Sequence, residues 1–232
     1  RYPHCDADAA RRLLAEGTPQ TAVLATDGVF SMDGDIAPLA ALAAAARAHD
    51  AWLVVDDAHG IGVLGANGRG ALERAGLGCD EVPVLVGTLG KAFGTFGAFV
   101  AGAGDLIDFL IQRARSYIYT TALPQPVAAA TRAALRIVRE EPWRRERALA
   151  LTARFRAAAH AGGVPLADSV TPIQPIPVGD AQAALAAQRA LREAGFWVVA
   201  IRSPTVPAGA ERLRHFVEVA GWTAPSFKTL AS

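Results

Sequence analysis

The chain has 232 residues, 52% hydrophobic and 19% charged, which suffices for one large domain or two small ones and excludes a disordered protein. With 23 basic and 22 acidic residues the net charge is +1, so no overall field favours nucleic acid or an anionic membrane. Two cysteines exclude a disulfide-rich framework, and no signal peptide or roughly 20-residue apolar span is apparent near the N-terminus. We therefore expect a cytoplasmic protein.

The first half of the chain alternates short apolar runs with helical patterns. Helices are predicted from Asp35, as N-cap, to His49, and around residues 106–111. Strands are predicted at 23–26, 52–55, 82–86 and 96–101. The run at 52–55 is continuously apolar, which is typical of a sheet covered on both faces. This alternation predicts a parallel or mixed α/β sheet with ligands at the carboxyl ends of its strands.

The second half has a different pattern and predicts a smaller α+β domain. Asp180 is a predicted N-cap and Gly195 a predicted stop for one of its helices. The predicted helices cover 124–141, 142–160 and 180–194, and the predicted strands cover 173–178 (bounded by prolines, as at a sheet edge), 197–201 and 213–219. Eight arginines between Arg132 and Arg156 alternate with glutamates, which indicates solvated helix faces rather than a nucleic-acid surface. We place the two domains at 1–137 and 138–232.

Four polar residues lie where predicted strands of the first half end. Asp56 and His59 follow one strand, and Thr88 and Lys91 follow the next. Taken singly, each is also explained as an ordinary turn or loop residue. Taken together, they provide the groups that pyridoxal phosphate (PLP) needs: an amine for its aldehyde, a carboxylate for its pyridine nitrogen, and hydrogen-bond donors for its ring oxygen and phosphate.

The choice of lysine at position 91 is itself informative. Only Lys91 and Lys228 are lysines, while the other basic residues are arginines. Arginine remains protonated, whereas lysine can lose its proton and act as a nucleophilic amine. Lys91 is therefore the predicted covalent anchor.

Two long segments carry a resemblance to a known family. They are Val54–Gly65 (VVDDAHGIGVLG), followed by Gly68-Arg69-Gly70, and Thr88–Gly94 (TLGKAFG). They resemble the α-oxoamine synthases, PLP-dependent enzymes with the aspartate-aminotransferase fold (fold type I). Further similar segments are 1–4, 28–35, 119–124, 166–169, 173–175 and 200–209. The resemblance implies an α/β fold in which residues 1–137 are the C-terminal portion of a large PLP-binding domain with a mixed, mostly parallel sheet.

The resemblance also implies roles for single residues, with no metal. Lys91 would bind the cofactor aldehyde and act as general base. Arg202 would bind the amino acid's carboxylate, as its planar fork suits, and Thr205 would lie near the substrate. The implied cofactor contacts are Asp56 at the pyridine nitrogen, His59 at the ring oxygen, Thr88 at the phosphate, and Ser31.

Within the family, the resemblance is strongest to the branch that serves biotin biosynthesis. It implies a homodimer that condenses L-alanine with a pimeloyl thioester, carried on CoA or on an acyl carrier protein, with release of CO2 and the carrier thiol. Two alternatives stay open. One is an α-oxoamine synthase that uses glycine with acetyl-CoA, succinyl-CoA or a long acyl-CoA, and the other is an inactive remnant.

Two departures from the family pattern are visible. Family members have an upstream third that contains a glycine loop for the phosphate and a histidine that stacks on the ring, so we expect the chain to be N-terminally incomplete. After Arg214 the sequence diverges from the family. For the isolated chain we therefore keep both an active and an inactive site as alternatives.

Overall fold

The computed structural model describes residues 1–17 and 22–217, which form two compact units. Unit 1 comprises Arg1–Phe30 and Ile36–Pro142. Unit 2 comprises Ser31–Asp35 and the described residues from Trp143 onward. The interpretation of 1–137 and 138–232 as the large and small domains of a transferase remains a prediction.

Unit 1 is built on a four-stranded sheet in the order β1-β2-β3-β4. Its strands are β1 (Ala22–Asp27), β2 (Ala51–Asp56), β3 (Val84–Thr88) and β4 (Ala98–Gly102). Its helices are α1 (Ala7–Glu16), α2 (Leu39–Ala48), α3 (Ala71–Ala75), α4 (Gly104–Arg113), α5 (Arg115–Ile118) and α6 (Gln125–Glu140). The first three strands are parallel and β4 is antiparallel to β3. The predicted mixed, mostly parallel α/β sheet is confirmed.

Several predicted boundaries in unit 1 shift for local reasons. Strand β3 begins at Val84 rather than at 82, because Pro83 lacks an N–H for the ladder. Strand β4 begins at Ala98 rather than at 96, since Gly97 has a φ of +110°, outside the β region. Helices α1, α3 and α5 were not predicted from the sequence.

The prediction that Asp35 caps the helix to His49 is wrong. Helix α2 begins at Leu39, and Pro38 is its N-cap without a side-chain cap bond. Ile36 instead forms an isolated antiparallel bridge with Val29, which keeps this stretch extended up to the proline.

The core of unit 1 lies where α2 packs against β2. Leu39 and Leu42 of α2 and Leu53 and Val55 of β2 are buried. Trp52 is 45% exposed, so within the described residues the prediction of a strand covered on both faces is wrong. The alternation of Leu53 and Val55 with more exposed neighbours follows the pleat of the strand.

Unit 2 contains a three-stranded antiparallel sheet in the order β5-β7-β6. Its elements are α7 (Trp143–Ala161), β5 (Ile173–Pro177), α8 (Ala181–Glu193), β6 (Val199–Ile201) and β7 (Arg212–Phe216). Helix α8 packs on β6 and β7, and Ala184, Val198, Ala200 and Leu213 form a buried cluster.

Most predictions for unit 2 are confirmed. Strand β5 is at the sheet edge, and Asp180 caps α8, its Oδ1 accepting from Ala183 N at 2.7 Å. Strand β6 is shorter than predicted, and β7 ends at Phe216; the last predicted residues of that strand, 218 and 219, lie outside the described residues. None of the helices described here has the length and apolarity required to span a membrane.

Candidate active site

Polar side chains end all three parallel strands of unit 1. Asp27 ends β1, Asp56 ends β2 and Thr88 ends β3, and Asp27 is opposite Asp56 in the strand register. Because parallel strands have their carboxyl ends at one edge of the sheet, these residues share that edge.

The turn after β2 carries Asp56 and His59. Asp57 O accepts from Gly60 N and from Ile61 N, each at 3.0 Å, which closes the turn. Asp56 Oδ1 accepts from Ala58 N at 2.9 Å, and the Asp56 side chain is otherwise exposed. The turn thus directs a carboxylate and an imidazole outward from the strand end.

The loop after β3 brings Lys91 to the same place. Gly94 N donates to Lys91 O at 2.9 Å, which closes a tight turn around the lysine. Lys91 Nζ lies 2.9 Å from His59 Nε2, so the structure brings these two predicted residues into hydrogen-bond contact although 32 positions separate them. Thr88 Oγ1 donates to Gly97 O at 3.1 Å and accepts from Gly90 N at 3.3 Å.

A threonine of α6, Thr131, supports the lysine loop through Thr95 of that loop. Thr131 Oγ1 donates to Thr95 Oγ1 at 2.9 Å, and Thr95 Oγ1 donates to Leu89 O at 3.0 Å. Thr95 N also donates to Leu89 O at 2.9 Å. These bonds fix the backbone two residues before Lys91.

Two further aspartates at this edge had no predicted role. Burial raises the pKa of Asp27, repulsion by Asp56 raises it further, and Lys91 and His4 act in the opposite direction. Burial also raises the pKa of Asp57, to about 7, against a lowering hydrogen bond from Ala71 N. The signal for Asp27 was present in the sequence, since it ends an apolar strand just as Asp56 does.

The other three predicted residues lie in unit 2. Arg214 Nη1 donates to Ser31 O at 3.0 Å, which anchors the backbone of Ser31. Arg202 and Thr205 are exposed in the turn after β6, where Thr205 N donates to Arg202 O at 3.0 Å. Their roles toward cofactor and substrate remain predictions.

The segment that contains Ser31 is held within unit 2 by hydrogen bonds and an ion pair that the sequence did not predict. Arg212 Nη1 donates to Met32 O at 3.1 Å and pairs with Asp33 Oδ1 at 2.6 Å. Ser169 Oγ and Thr171 Oγ1 both donate to Gly34 O, at 2.7 and 2.8 Å.

Comparison with known proteins identifies the family to which this architecture and sequence correspond. The family model for aminotransferase class I and II matches residues 1–231. The chain belongs to this family. Its fold also agrees with solved structures of aminotransferase-fold enzymes, which confirms the predicted fold class. A serine palmitoyltransferase from S. paucimobilis, with a bound PLP–myriocin aldimine, aligns with a TM-score of 0.89 at 30% identity over 99% of this chain and 58% of its own.

Close relatives of this aminotransferase-family chain share one name. The 8-amino-7-oxononanoate synthase of Methylococcus capsulatus is 63% identical over 92% of this chain, and that of Pseudomonas fluorescens is 60% identical over the same share. The structure of 8-amino-7-oxononanoate synthase from Francisella tularensis aligns with a TM-score of 0.81 at 31% identity, over 100% of this chain and 66% of its own. The chain spans about half the length of the curated relatives it matches, 55% and 54% for the two named first.

Proposed function

We propose that this chain carries the PLP site of an 8-amino-7-oxononanoate synthase. Such an enzyme condenses L-alanine with a pimeloyl thioester and releases CO2 and the carrier thiol. The observation that carries the proposal is the 2.9 Å contact between Lys91 Nζ and His59 Nε2 at the edge where Asp56 and Thr88 end their strands. The 53–63% identity to synthases of that name supports the choice of reaction.

The donor set at this edge fits PLP. An exposed amine, an exposed carboxylate, an imidazole and a hydroxyl lie at the ends of β2 and β3 and in the loops that follow these two strands: Lys91, Asp56, His59 and Thr88. When bound, PLP supplies an electron-withdrawing pyridinium ring that accepts the electrons released when a bond to the amino acid's Cα breaks. Asp56 would hold the ring nitrogen, His59 the ring oxygen, and Thr88 the phosphate.

The chain's own residues account for the proton chemistry. Lys91 is exposed and reaches past its turn to His59, so its amine can both anchor the cofactor and take up the Cα proton of alanine. The imidazole at 2.9 Å restricts where the amine points, and correct orientation of a general base contributes strongly to rate. Arg202 would hold the substrate carboxylate, with Thr205 beside it and Ser31 contacting the cofactor.

Trapping with borohydride tests the cofactor site. The protein is incubated with PLP, reduced and digested, and the labelled peptide is identified by mass spectrometry. We expect the label on the peptide that contains Lys91, and none in Lys91→Arg. The matched control is Lys228→Arg, because the chain has no third lysine and this variant should be labelled like the parent. Label confined to Lys228, or no label, would refute the site.

Product analysis tests the reaction. The enzyme is supplied with L-alanine and pimeloyl thioester on CoA or on carrier protein, and in parallel with glycine or serine and acetyl, succinyl or palmitoyl thioesters. We expect 8-amino-7-oxononanoate from the first mixture only. Product from another pair would assign the activity of a different α-oxoamine synthase. Serine with palmitoyl thioester is included because the structure resembles that of serine palmitoyltransferase. Label at Lys91 without any product would identify a cofactor-binding but inactive chain.

We further propose that the enzyme is a cytoplasmic homodimer. Large apolar side chains of unit 1 are exposed on β4, on α4 and α5, and directly after α5, including Val100, Phe109, Tyr117 and Tyr119. Exposed apolar surface of this kind supports association. Sedimentation equilibrium of the purified protein should give twice the monomer mass, and a monomer at micromolar concentration would contradict the proposal.

A further inference from the structure

The Asp57 carboxylate occupies an unusual place for a charged group. It is fully buried, and its Oδ2 accepts from Ala71 N, the first residue of α3, at 2.7 Å. Within the described residues its Oδ1 has no hydrogen-bond partner. A buried acid with an unsatisfied oxygen costs stability, and an apolar side chain of similar size would avoid that cost.

Three glycines surround this carboxylate. A Cβ added at Gly28, Gly60 or Gly70 would overlap an atom of the Asp57 carboxyl group. These glycines, here called the Asp57 cage, belong to three separate segments: the turn after β1, the turn after β2, and the residue before α3. One side chain therefore constrains three backbone segments by direct contact, because protein interiors are close-packed.

The backbone beside the cage is the backbone that carries the candidate site. Gly28 N donates to Asp56 O at 2.7 Å, and Asp57 N donates to Val86 O at 2.9 Å. Asp57 O also closes the turn at Gly60 that contains His59. A shift of the Asp57 side chain would move Gly28 or Gly60, and with them the chain on both sides of Asp56 and His59.

We propose that Asp57 is a positioning residue, which sets the directions of Asp56 and His59 through its contacts with the three cage glycines. Asp57 itself touches neither cofactor nor substrate in this role. The part of the proposal that concerns PLP rests on the proposed function, whereas the part that concerns His59 does not. The two parts are therefore measured separately.

Two variants perturb the contact between Asp57 and its cage: one changes the acid, and the other changes a cage glycine. Asp57→Asn keeps the shape and an acceptor for Ala71 N but introduces an NH2 group among the glycines. Gly28→Ala leaves Asp57 in place and pushes on its carboxylate, at a residue whose φ is not positive. Gly104→Ala is the matched glycine control, since a Cβ there meets nothing within 4 Å. Glu73→Gln is the matched acid control, because Glu73 organises the adjacent loop through Asn67 and Arg69.

The first readout is independent of cofactor. The protein contains five histidines, so ring-labelled histidine gives few NMR signals, and His59 is assigned by its loss in His59→Gln. We expect Gly28→Ala, which leaves the ionisable group of Asp57 in place, to move the titration midpoint of His59 by about half a pH unit or more. We expect Asp57→Asn to move it as well, in part because it removes a neighbouring charge, and both controls to leave it unchanged. The second readout is PLP affinity, which we expect to fall about tenfold in the two cage variants only.

Each result decides the proposal. If both cage variants leave the His59 titration and the PLP affinity at parent values, Asp57 has no positioning role. If Asp57→Asn does not fold, Gly28→Ala decides alone, and if neither folds, Asp57 is required for folding and the proposal is overturned. If the parent is never labelled at Lys91 while the His59 midpoint still moves in the cage variants alone, the positioning role stands and the proposed function fails.

Discussion

The buried acid Asp57 makes the stability of this protein depend on pH in a direction that is opposite to that of most carboxylates. Its pKa rises from 3.8 to about 7 in the folded state, chiefly because burial removes water from the carboxylate. The folded state therefore binds a proton that the unfolded state releases above pH 4. Stability from this group is complete below pH 4 and is lost as the pH rises to about 7.

The size of the effect follows from the same values. A rise from 3.8 to about 7 is roughly three pH units, and at ~1.4 kcal/mol per unit it corresponds to about 4 kcal/mol. Asn cannot ionise, so Asp57→Asn removes this dependence. We expect the unfolding free energy of the variant, relative to the parent, to increase by about 4 kcal/mol between pH 4 and pH 8. Such a change is a large fraction of a typical domain stability of about 5–15 kcal/mol.

Urea denaturation of both proteins at half-unit steps of pH measures the difference directly, because other titrating groups cancel in it. Glu73→Gln is a control of opposite sign. Burial is the largest single influence and raises the pKa of Glu73, but hydrogen bonds from Arg69 N and from Asn67, with the charge of Arg69, together lower it overall. Its contribution is therefore present above pH 4.5 and lost as the pH falls. A parent-minus-variant difference for Asp57→Asn that is flat across this range would refute the reasoning.

Three other substitutions have defined outcomes. Asp180→Ala removes the N-cap bond of α8 and should lower the unfolding free energy by about 1 kcal/mol, with Asp180→Asn as the conservative control. Gly34→Ala adds a Cβ that overlaps Ile173 O at a φ of +72°, and should cost about 3 kcal/mol in a thermal or urea melt. Asp56→Asn alters an exposed side chain, so stability should change by less than about 0.5 kcal/mol while PLP binding weakens by at least about tenfold in a fluorescence titration.

The elements that could be predicted from the sequence are those with a strong local pattern. The apolar run that ends at Asp56 and the Asp180 cap both depend on neighbours within a few residues, and the structure has them as expected. Predicted boundaries of strands and helices were wrong where one residue or one contact outweighs the local pattern. Pro83 delays β3, and the bridge from Val29 to Ile36 holds the chain extended where a helix was expected.

The same distinction applies to the candidate site: features that depend on neighbouring residues in the sequence were predicted, and features that depend on contacts between distant residues were not. Asp56 and Lys91 were identifiable because each follows a strand and belongs to a long motif. The contact between Lys91 and His59, and the coupling of Asp27 to Asp56, depend on which strands are neighbours and in what register. The environment of Asp57 was the least predictable, since its cage combines glycines from positions 28, 60 and 70 that only the folded chain brings together.

Asp56, the last residue of β2, and Asp57, which follows it, thus have different environments for one geometric reason. Successive side chains of a strand point to opposite faces, so Asp56 is exposed at the site while Asp57 enters the core. The exposed carboxylate remains available to a ligand, and the buried one contacts the backbone on both sides of it. A shift of the strand by one residue would exchange these environments and place the wrong acid in the cage. Gly28, directly after β1, and Val86 of β3 hydrogen-bond to Asp56 and Asp57 from the two sides of β2, so these bonds hold the register that separates the two acids.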